Sequence, residues 1–387
     1  MKRKGMVTTM IQVDVEKFLQ ELEILVNMDS GQGNPDGITA VGKWLADRLV
    51  AKGWIAEYVD VGEQTGRCTV VKNREADHYD VMLVGHVDTV FPTGETAKRP
   101  FCRDETRAYG LGVIDMKQGD LAIVHVLEQL PSDVNEKLNI LVIFNPDEEI
   151  GSKYSRKLID EYAEITDYAY VFEAASTDGS HTIQRKGMCS ATVEFHGQAG
   201  HAGYLFNGGM ISAINELIYW GSQINTLLDK ERETSVNIGV IEGGVKTNVV
   251  PDYAKMMFES RYDYPEELDK VKAMLEQLKE HAAQAGVGVE IAFRSSAAMM
   301  PTEKTHAYIK RVTEMAAANG IDFYTKKRGG LSDANHISAH GPICVDGLGP
   351  TGDCDHSDKE YLEISTIEPN LKLVYLMLCD LAKMKDE

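Results

Sequence analysis

The stretch Asp80-Val81-Met82-Leu83-Val84-Gly85-His86-Val87-Asp88-Thr89 couples an apolar run to a polar ending. Its apolar residues are continuous rather than alternating, the pattern of a strand buried on both faces. LNILVIF at 138–144 and Tyr168-Ala169-Tyr170-Val171-Phe172 have the same texture. Around these runs the spacing turns helical. Residues 14–28 place Phe18, Leu22 and Leu25 on one face, and 37–52 do the same with Val41, Leu45 and Leu49, with Gly53 closing the second helix. Shorter β-rich runs lie at 54–61 and 68–73, and helices are expected at 116–130, ending before Pro131, and at 152–163. Strands alternating with helices predict an α/β domain with a mostly parallel central sheet.

From about 182 the pattern changes. Residues 187–195 alternate like a half-exposed strand. A helix at 208–228, strands at 234–241 and 250–262, a helix at 266–285 and a strand at 287–294 follow. That β-α-β-β-α-β order is the ferredoxin-like sandwich. After about 298 the α/β pattern resumes, with a helix at 304–319, a strand near 342–348 and a last helix at 366–384. The chain of 387 residues is too long for one comfortable core. The simplest account is a catalytic domain of 1–181 and 298–387, interrupted by an inserted α+β domain of 182–297.

Bulk properties exclude some classes of function. A net charge of -20 argues against nucleic acid as a partner, because phosphate binding needs clustered Lys and Arg. No apolar run approaches 18 residues, so no membrane span is expected. The opening MKRKGMVTTM has the charge of a signal peptide, but Asp14, Glu16 and Lys17 interrupt what should be its apolar core. Met6 and Met10 are both candidate start residues. The cysteines, Cys68, Cys102, Cys189, Cys344, Cys354 and Cys379, form no C-x-x-C pair, which fits reduced thiols in a cytoplasmic protein.

Parallel sheets carry their working groups just past the carboxyl ends of strands. His86 and Asp88 stand two apart after the first buried strand, so an extended backbone turns them to one side. A carboxylate beside a metal-binding imidazole commonly fixes its tautomer. Gly110-Leu111-Gly112-Val113-Ile114-Asp115 brings an acid to the start of a helix, where Asp115 could also serve simply as an N-cap. Asp147, Glu148 and Glu149 follow LNILVIF. Three acids there are costly unless something positive neutralises them, and one could bind a cation while its neighbour handles protons. Glu173 ends the third apolar run, and Asp355-His356-Ser357-Asp358 follows a late strand. His86, Asp115, Glu149, Glu173 and His356 thus form a set of imidazoles and carboxylates. With one carboxylate shared, each of two metals would have three protein ligands and an open position, as catalytic zinc sites require. Mixed nitrogen and oxygen donors suit zinc, with cobalt or manganese as substitutes.

In these motifs and their order the chain resembles the zinc-dependent metallopeptidase family of glutamate carboxypeptidase, aminoacylase, acetylornithine deacetylase and succinyl-diaminopimelate desuccinylase. The resemblance runs from about Val15 to Leu381. Its flavour is that of the glutamate carboxypeptidase-like subgroup, in TSVNIGVIEGG, TNVVPD, GGLSDANHISAHG and DGLGPTGDCDHSDKEYL. The resemblance implies that His86 and Glu173 hold one zinc, that Glu149 and His356 hold the other, and that Asp115 bridges them. It implies a cis peptide between Asp115 and Met116, Glu148 as general base, and Asp88 orienting His86. The inserted domain would be a lid through which the chain forms a homodimer. Within it, His201 of Gly200-His201-Ala202-Gly203 would reach the partner's site, and Asn248 would lie near the substrate. Family members also present an arginine to the substrate carboxylate, in an R-P-x-aromatic context. Here Arg294 is the only arginine of the corresponding stretch 293–301, and it sits two or three positions early. The implied reaction is hydrolysis of an amide bond in a small peptide or N-acyl amino acid. An N-acyl amino acid deacylase or a di- or tripeptidase would use the same site with another pocket. A non-catalytic scaffold would need a missing ligand or base, and none is missing.

Overall fold

The computed structural model describes residues 10–207 and 209–387. Met6 and the basic opening stretch lie outside the described residues. α1 (Val15–Asn27) and α2 (Pro35–Val50) precede β1 (Ile55–Val59), β2 (Cys68–Lys72) and β3 (Tyr79–His86). Next come α3 (Gln118–Glu128), β4 (Ile140–Asn145), α4 (Arg156–Ala163) and β5 (Thr166–Val171). β6 (Gly187–His196), α5 (Ala213–Ile224), β7 (Ser235–Gly243), β8 (Tyr253–Tyr262), α6 (Pro265–Glu280) and β9 (Gly288–Ser296) follow. Then run α7 (Glu303–Ala318), α8 (Asp333–Ser338), β10 (Ile343–Val345) and α9 (Ile367–Met384). The chain divides into two units. One holds the chain up to Ile183 with Pro301–Lys327 and Ser332–Glu387, and the other holds Gln184–Met300 with Arg328–Leu331.

In the first unit a six-stranded sheet has the order β10-β5-β3-β4-β2-β1. β10, β5, β3 and β4 pair in parallel, while β2 and β1 add an antiparallel edge. Every residue of β4 is buried, as its unbroken apolar run requires. Phe18 and Leu22 of α1, Val41 and Leu45 of α2, Leu121 of α3 and Leu378 of α9 share one core with the sheet. α3 comes very close to the end of β5: a Cβ on Gly119 would stand 2.1 Å from the Phe172 carbonyl oxygen. Only glycine fits there, and the approach sets the segment before α3 against the carboxyl ends of the strands.

That segment departs from expectation. The helix begins at Gln118, not 116, because Asp115 and Met116 have non-helical backbone (φ -125°, ψ 92° and φ -131°, ψ 39°). The peptide between them is cis. Asp115 is therefore no N-cap; Lys117 precedes the helix and makes no side-chain cap bond.

The second unit is a four-stranded antiparallel sheet of order β7-β8-β6-β9. Its chain order β6-α5-β7-β8-α6-β9 is ferredoxin-like. β6 alternates between buried and partly buried residues, so one face is packed. Phe195 and Phe258 of that face share a core with Leu217 and Trp220 of α5 and Val271 and Leu275 of α6. The helix expected over 208–228 is shorter. Ser212 Oγ accepts from Asn215 N and caps its start, and a 3₁₀ turn at Asn225–Leu227 follows its end. Gly208 lies outside the described residues. Arg328–Leu331 joins this unit by carbonyls: Gly330 O accepts from Arg185 Nη1 at 3.0 Å and Gly329 O from Arg261 Nη1 at 3.4 Å. Among the described residues no helix is long and apolar enough to cross a membrane.

Candidate active site

Three adjacent parallel strands, β5, β3 and β4, end together and deliver Glu173, His86 and the Asp147–Glu149 loop to one place. His86 is buried. Its Nε2 stands 3.0 Å from Asp115 Oδ1 and 3.8 Å from Glu173 Oε1. Its Nδ1 faces Asp88 at 3.1 Å from the carbonyl oxygen and 3.4 Å from Oδ1. The Asp88 carboxylate also accepts the backbone N–H groups of Glu148 (3.2 Å) and Glu149 (3.1 Å), so it fixes the imidazole and the acidic loop together. The second oxygen of Asp115 stands 3.0 Å from His356 Nε2, and Glu149 Oε2 lies 3.4 Å from the same nitrogen. Glu149 Oε1 accepts from Val90 N at 3.2 Å. His356 reaches the cluster from a turn in which it has φ 59° and Cys354 has φ 63°. All five sequence-predicted ligands therefore converge. One donor atom from each of His86, Asp115 and Glu149 lies within 4.8 Å of the others, and so does one from each of Asp115, Asp355 and His356. Asp355 is a neighbour that sequence reasoning named only as part of a motif.

The donor chemistry fits a divalent pair. Asp115 presents one oxygen to each imidazole, and Glu149 and Glu173 flank them, so acids outnumber bases in a mostly buried space. Burial opposes charge on His86, but the hydrogen bonds to Asp115 and Asp88 outweigh it and hold its pKa well above the usual histidine range. Hydrogen bonds to Asp115 and Glu149 raise His356 to about 11. Burial works against ionised Asp115, yet its bonds to His356 and His86 hold it low. Metal ligation needs neutral imidazoles, so cation uptake by the metal-free protein must displace protons. We expect at least one proton released per chain at pH 7, and an affinity that falls as pH falls. Calorimetric titration in buffers of different ionisation heat reads this directly, and buffer-independent heats would contradict it.

Glu148 and Asp147 differ in their surroundings. Burial, with Glu173, Asp333 and Glu149 nearby, pushes Glu148 well above the usual carboxylate range. Asp147 is buried and accepts from the backbone of Tyr154 (2.6 Å) and Ser155 (3.3 Å), a structural role that the three-acid run leaves open.

The profile of peptidase family M20/M25/M40 matches residues 82–380. The chain is 31% identical to carboxypeptidase G2 from Pseudomonas sp. over 373 residues, covering 95% of this chain and 90% of that one. The chain belongs to the M20/M25/M40 peptidase family. It is also 26% identical to succinyl-diaminopimelate desuccinylase from Nitrosomonas eutropha over 367 residues, covering 89% and 93% of the two chains. A tripeptidase from Staphylococcus aureus superimposes with a TM-score of 0.77 at 24% identity, covering 97% of this chain and 100% of that one. As an M20 peptidase the chain is a hydrolytic metalloenzyme.

The other predicted residues of this M20 chain belong to the second unit. His201 pairs with Val249 in a short antiparallel ladder, and Ala202 N donates to Asn248 O at 3.0 Å, so His201 and Asn248 are neighbours. His201 Nδ1 accepts from Gly203 N at 3.1 Å, which leaves the proton of the neutral ring on Nε2. Arg294 sits within β9, not in a loop, and its Nε donates to Ser190 Oγ of β6 at 2.8 Å. Any carboxylate-reading role for it would thus have to come from a strand face.

Sequence reasoning missed two supports. Asn145 Nδ2 donates to Asp333 Oδ2 (2.6 Å) and Ser152 Oγ (2.9 Å), while its Oδ1 accepts from Asp147 N (3.2 Å), tying α8 to the acidic loop. Glu360 accepts backbone N–H groups from the segment that ends in Asp115. GGLSDANHISAHG and the DHSDKEYL end of the last motif contain both acids, but nothing in either motif reveals what they hold.

Proposed function

We propose that the protein is a carboxypeptidase-like hydrolase that uses two zinc ions to cut an amide bond and release a C-terminal amino acid from a small peptidyl or N-acyl substrate. The observation that carries this reading is Asp115, with one oxygen 3.0 Å from His86 and the other 3.0 Å from His356. His86 and Glu173 would hold one ion and Glu149 and His356 the other, with Asp115 between them. Cobalt or manganese would substitute. When bound, such a pair polarises the scissile carbonyl and supplies a nucleophilic water at neutral pH. Glu148 would accept a proton from the attacking water and return it to the leaving nitrogen. Asp88 keeps His86 oriented and holds the Glu148 loop in reach.

The second unit acts as lid and dimerisation domain of a homodimer. His201 Nε2–H donates to the developing oxyanion, and Asn248 beside it contacts substrate. The irregularly spaced cysteines, none in a C-x-x-C pair and none disulfide-bonded, support a cytoplasmic setting. The motifs TSVNIGVIEGG and TNVVPD, shared in flavour with the glutamate carboxypeptidase-like subgroup, favour a glutamate-like released residue.

A hydrolysis panel with added zinc, cobalt or manganese tests the reading. N-acyl-glutamates should be cleaved faster than N-acetyl amino acids or free dipeptides. Preference for N-acetyl amino acids would make it a deacylase, and preference for free-amine substrates a di- or tripeptidase. No turnover of any amide with any of these metals would overturn the proposal.

A further inference from the structure

We infer that Glu360 is a positioning residue for the carboxylate that joins the two metal sites. This rests on the two-metal reading above and assigns a residue which that reading does not use. Glu360 is 2% exposed. Its Oε1 accepts from Ile114 N at 2.8 Å and Asp115 N at 3.1 Å, and its Oε2 accepts from Gly112 N at 2.9 Å. Three backbone donors in four residues therefore close on one buried carboxylate. The segment they belong to includes Gly112 at φ 73°, a left-handed turn that opens directly into Asp115.

The topology explains how a residue so distant in sequence arrives there. The strand Tyr361–Glu363 pairs antiparallel with Arg107–Tyr109, register Tyr361 to Tyr109. Glu360 therefore meets the chain just after Tyr109, where the Gly110–Asp115 segment starts. The same strand pairs with Gly349–Asp353, and His356 lies on the turn between them. One hairpin thus grips Asp115 at both ends: His356 faces its carboxylate at 3.0 Å, and Glu360 accepts its backbone N–H. A shift of this hairpin moves the bridge and one ligand as a unit. Freeing the backbone of Asp115 would let its oxygens leave the positions between the imidazoles while the other ligands stay in place.

A buried carboxylate that accepts amides also does plain structural work, and the second unit contains a matched example. Glu216 is buried and accepts from Ala283 N (2.9 Å), Gln284 N (3.0 Å) and Trp220 Nε1 (3.0 Å), with no metal-binding group among its partners. Glu360→Gln puts an amide N–H where one acceptor oxygen stood, facing a backbone donor. Glu216→Gln makes the same exchange elsewhere.

The test is cobalt titration of the metal-free full-length protein, followed by visible absorption and by metal analysis. Wild type should take up two equivalents. Glu360→Gln should bind the second equivalent at least tenfold more weakly, the usual scale for a residue that orients a ligand, with an altered cobalt spectrum. Glu216→Gln should match wild type in both readouts even if it is less stable. If Glu360→Gln does not fold, Glu360→Asp, which keeps charge and both acceptor oxygens, carries the same comparison. Wild-type affinity and spectrum in the folded Glu360 variant would overturn the assignment and leave the two-metal reading intact. Equal losses in the Glu216 variant would also overturn it. Uptake of a single equivalent by wild type would remove the two-metal reading itself, and the role of Glu360 with it.

Discussion

Glu148→Gln is expected to keep the fold and the metals while losing about 10²- to 10⁴-fold in kcat, the range for removing a general base. The amide is nearly the size of the acid but cannot accept a proton. Loop geometry should survive, because the contact that holds residue 148 is its backbone N–H to Asp88 Oδ1 at 3.2 Å. The surroundings also suit the role. Burial, with Glu173, Asp333 and Glu149 nearby, raises the Glu148 pKa well above its ordinary value, and the cations proposed above would oppose that shift and keep the carboxylate ionised for proton acceptance. Glu149→Gln should behave differently. Its Oε2 lies 3.4 Å from His356 and its Oε1 takes the Val90 N–H, so that variant should lose metal as well as turnover. Metal analysis beside kcat separates the two outcomes. Near-normal turnover in Glu148→Gln would remove it as the base.

The strand-end residues were legible because a parallel sheet converts local sequence into position. An unbroken apolar run marks a strand covered on both faces, and the next polar residues stand at its carboxyl end. His86, Glu149 and Glu173 follow such runs. That they share a site requires β5, β3 and β4 to be adjacent, which periodicity alone does not give. Asp115 was legible only in part. Read locally it suits a helix N-cap, but its backbone is extended and both its oxygens face imidazoles. The competing chemistry is long-range: His86 is 29 residues away and His356 is 241.

Glu360 and Asp333 show the limit more clearly. Each is a buried acid whose partners lie far off in sequence: Glu360 is 245 residues from Asp115, and Asp333 is 188 from Asn145. Local pattern reports which face a residue shows, not which distant backbone it completes. The small sheet whose strand Tyr361–Glu363 follows Glu360 has strands of two to five residues, too short for alternation to register. Arg328–Leu331 joins the second unit for the same reason, through carbonyls that carry no side-chain signal.

His201→Ala is expected to lower kcat by about a hundredfold or more, the usual loss for one oxyanion donor, with metal content unchanged. The turn histidine does bond local backbone, since Nδ1 accepts the Gly203 N–H at 3.1 Å. That bond does not compete with catalysis; it selects the tautomer with the proton on Nε2, the form that can donate. Asn248, whose carbonyl holds the adjacent Ala202, brings a second polar side chain to the same edge. The five predicted metal ligands and Glu148 all belong to the first unit, and His201 belongs to the second. The association role proposed for the second unit gains a use if that unit completes the partner's site. Mixing two inactive variants, His201→Ala and Glu148→Gln, makes the idea decisive. If each site takes its histidine from the other chain, a mixed dimer contains one site with wild-type Glu148 and wild-type His201, and activity returns. A site built within one chain would stay inactive in every combination, because each chain then carries a defect in its own site. No recovery after verified subunit exchange would therefore confine His201 to its own chain, and a fully active monomer at micromolar concentration would rule out the borrowed histidine altogether.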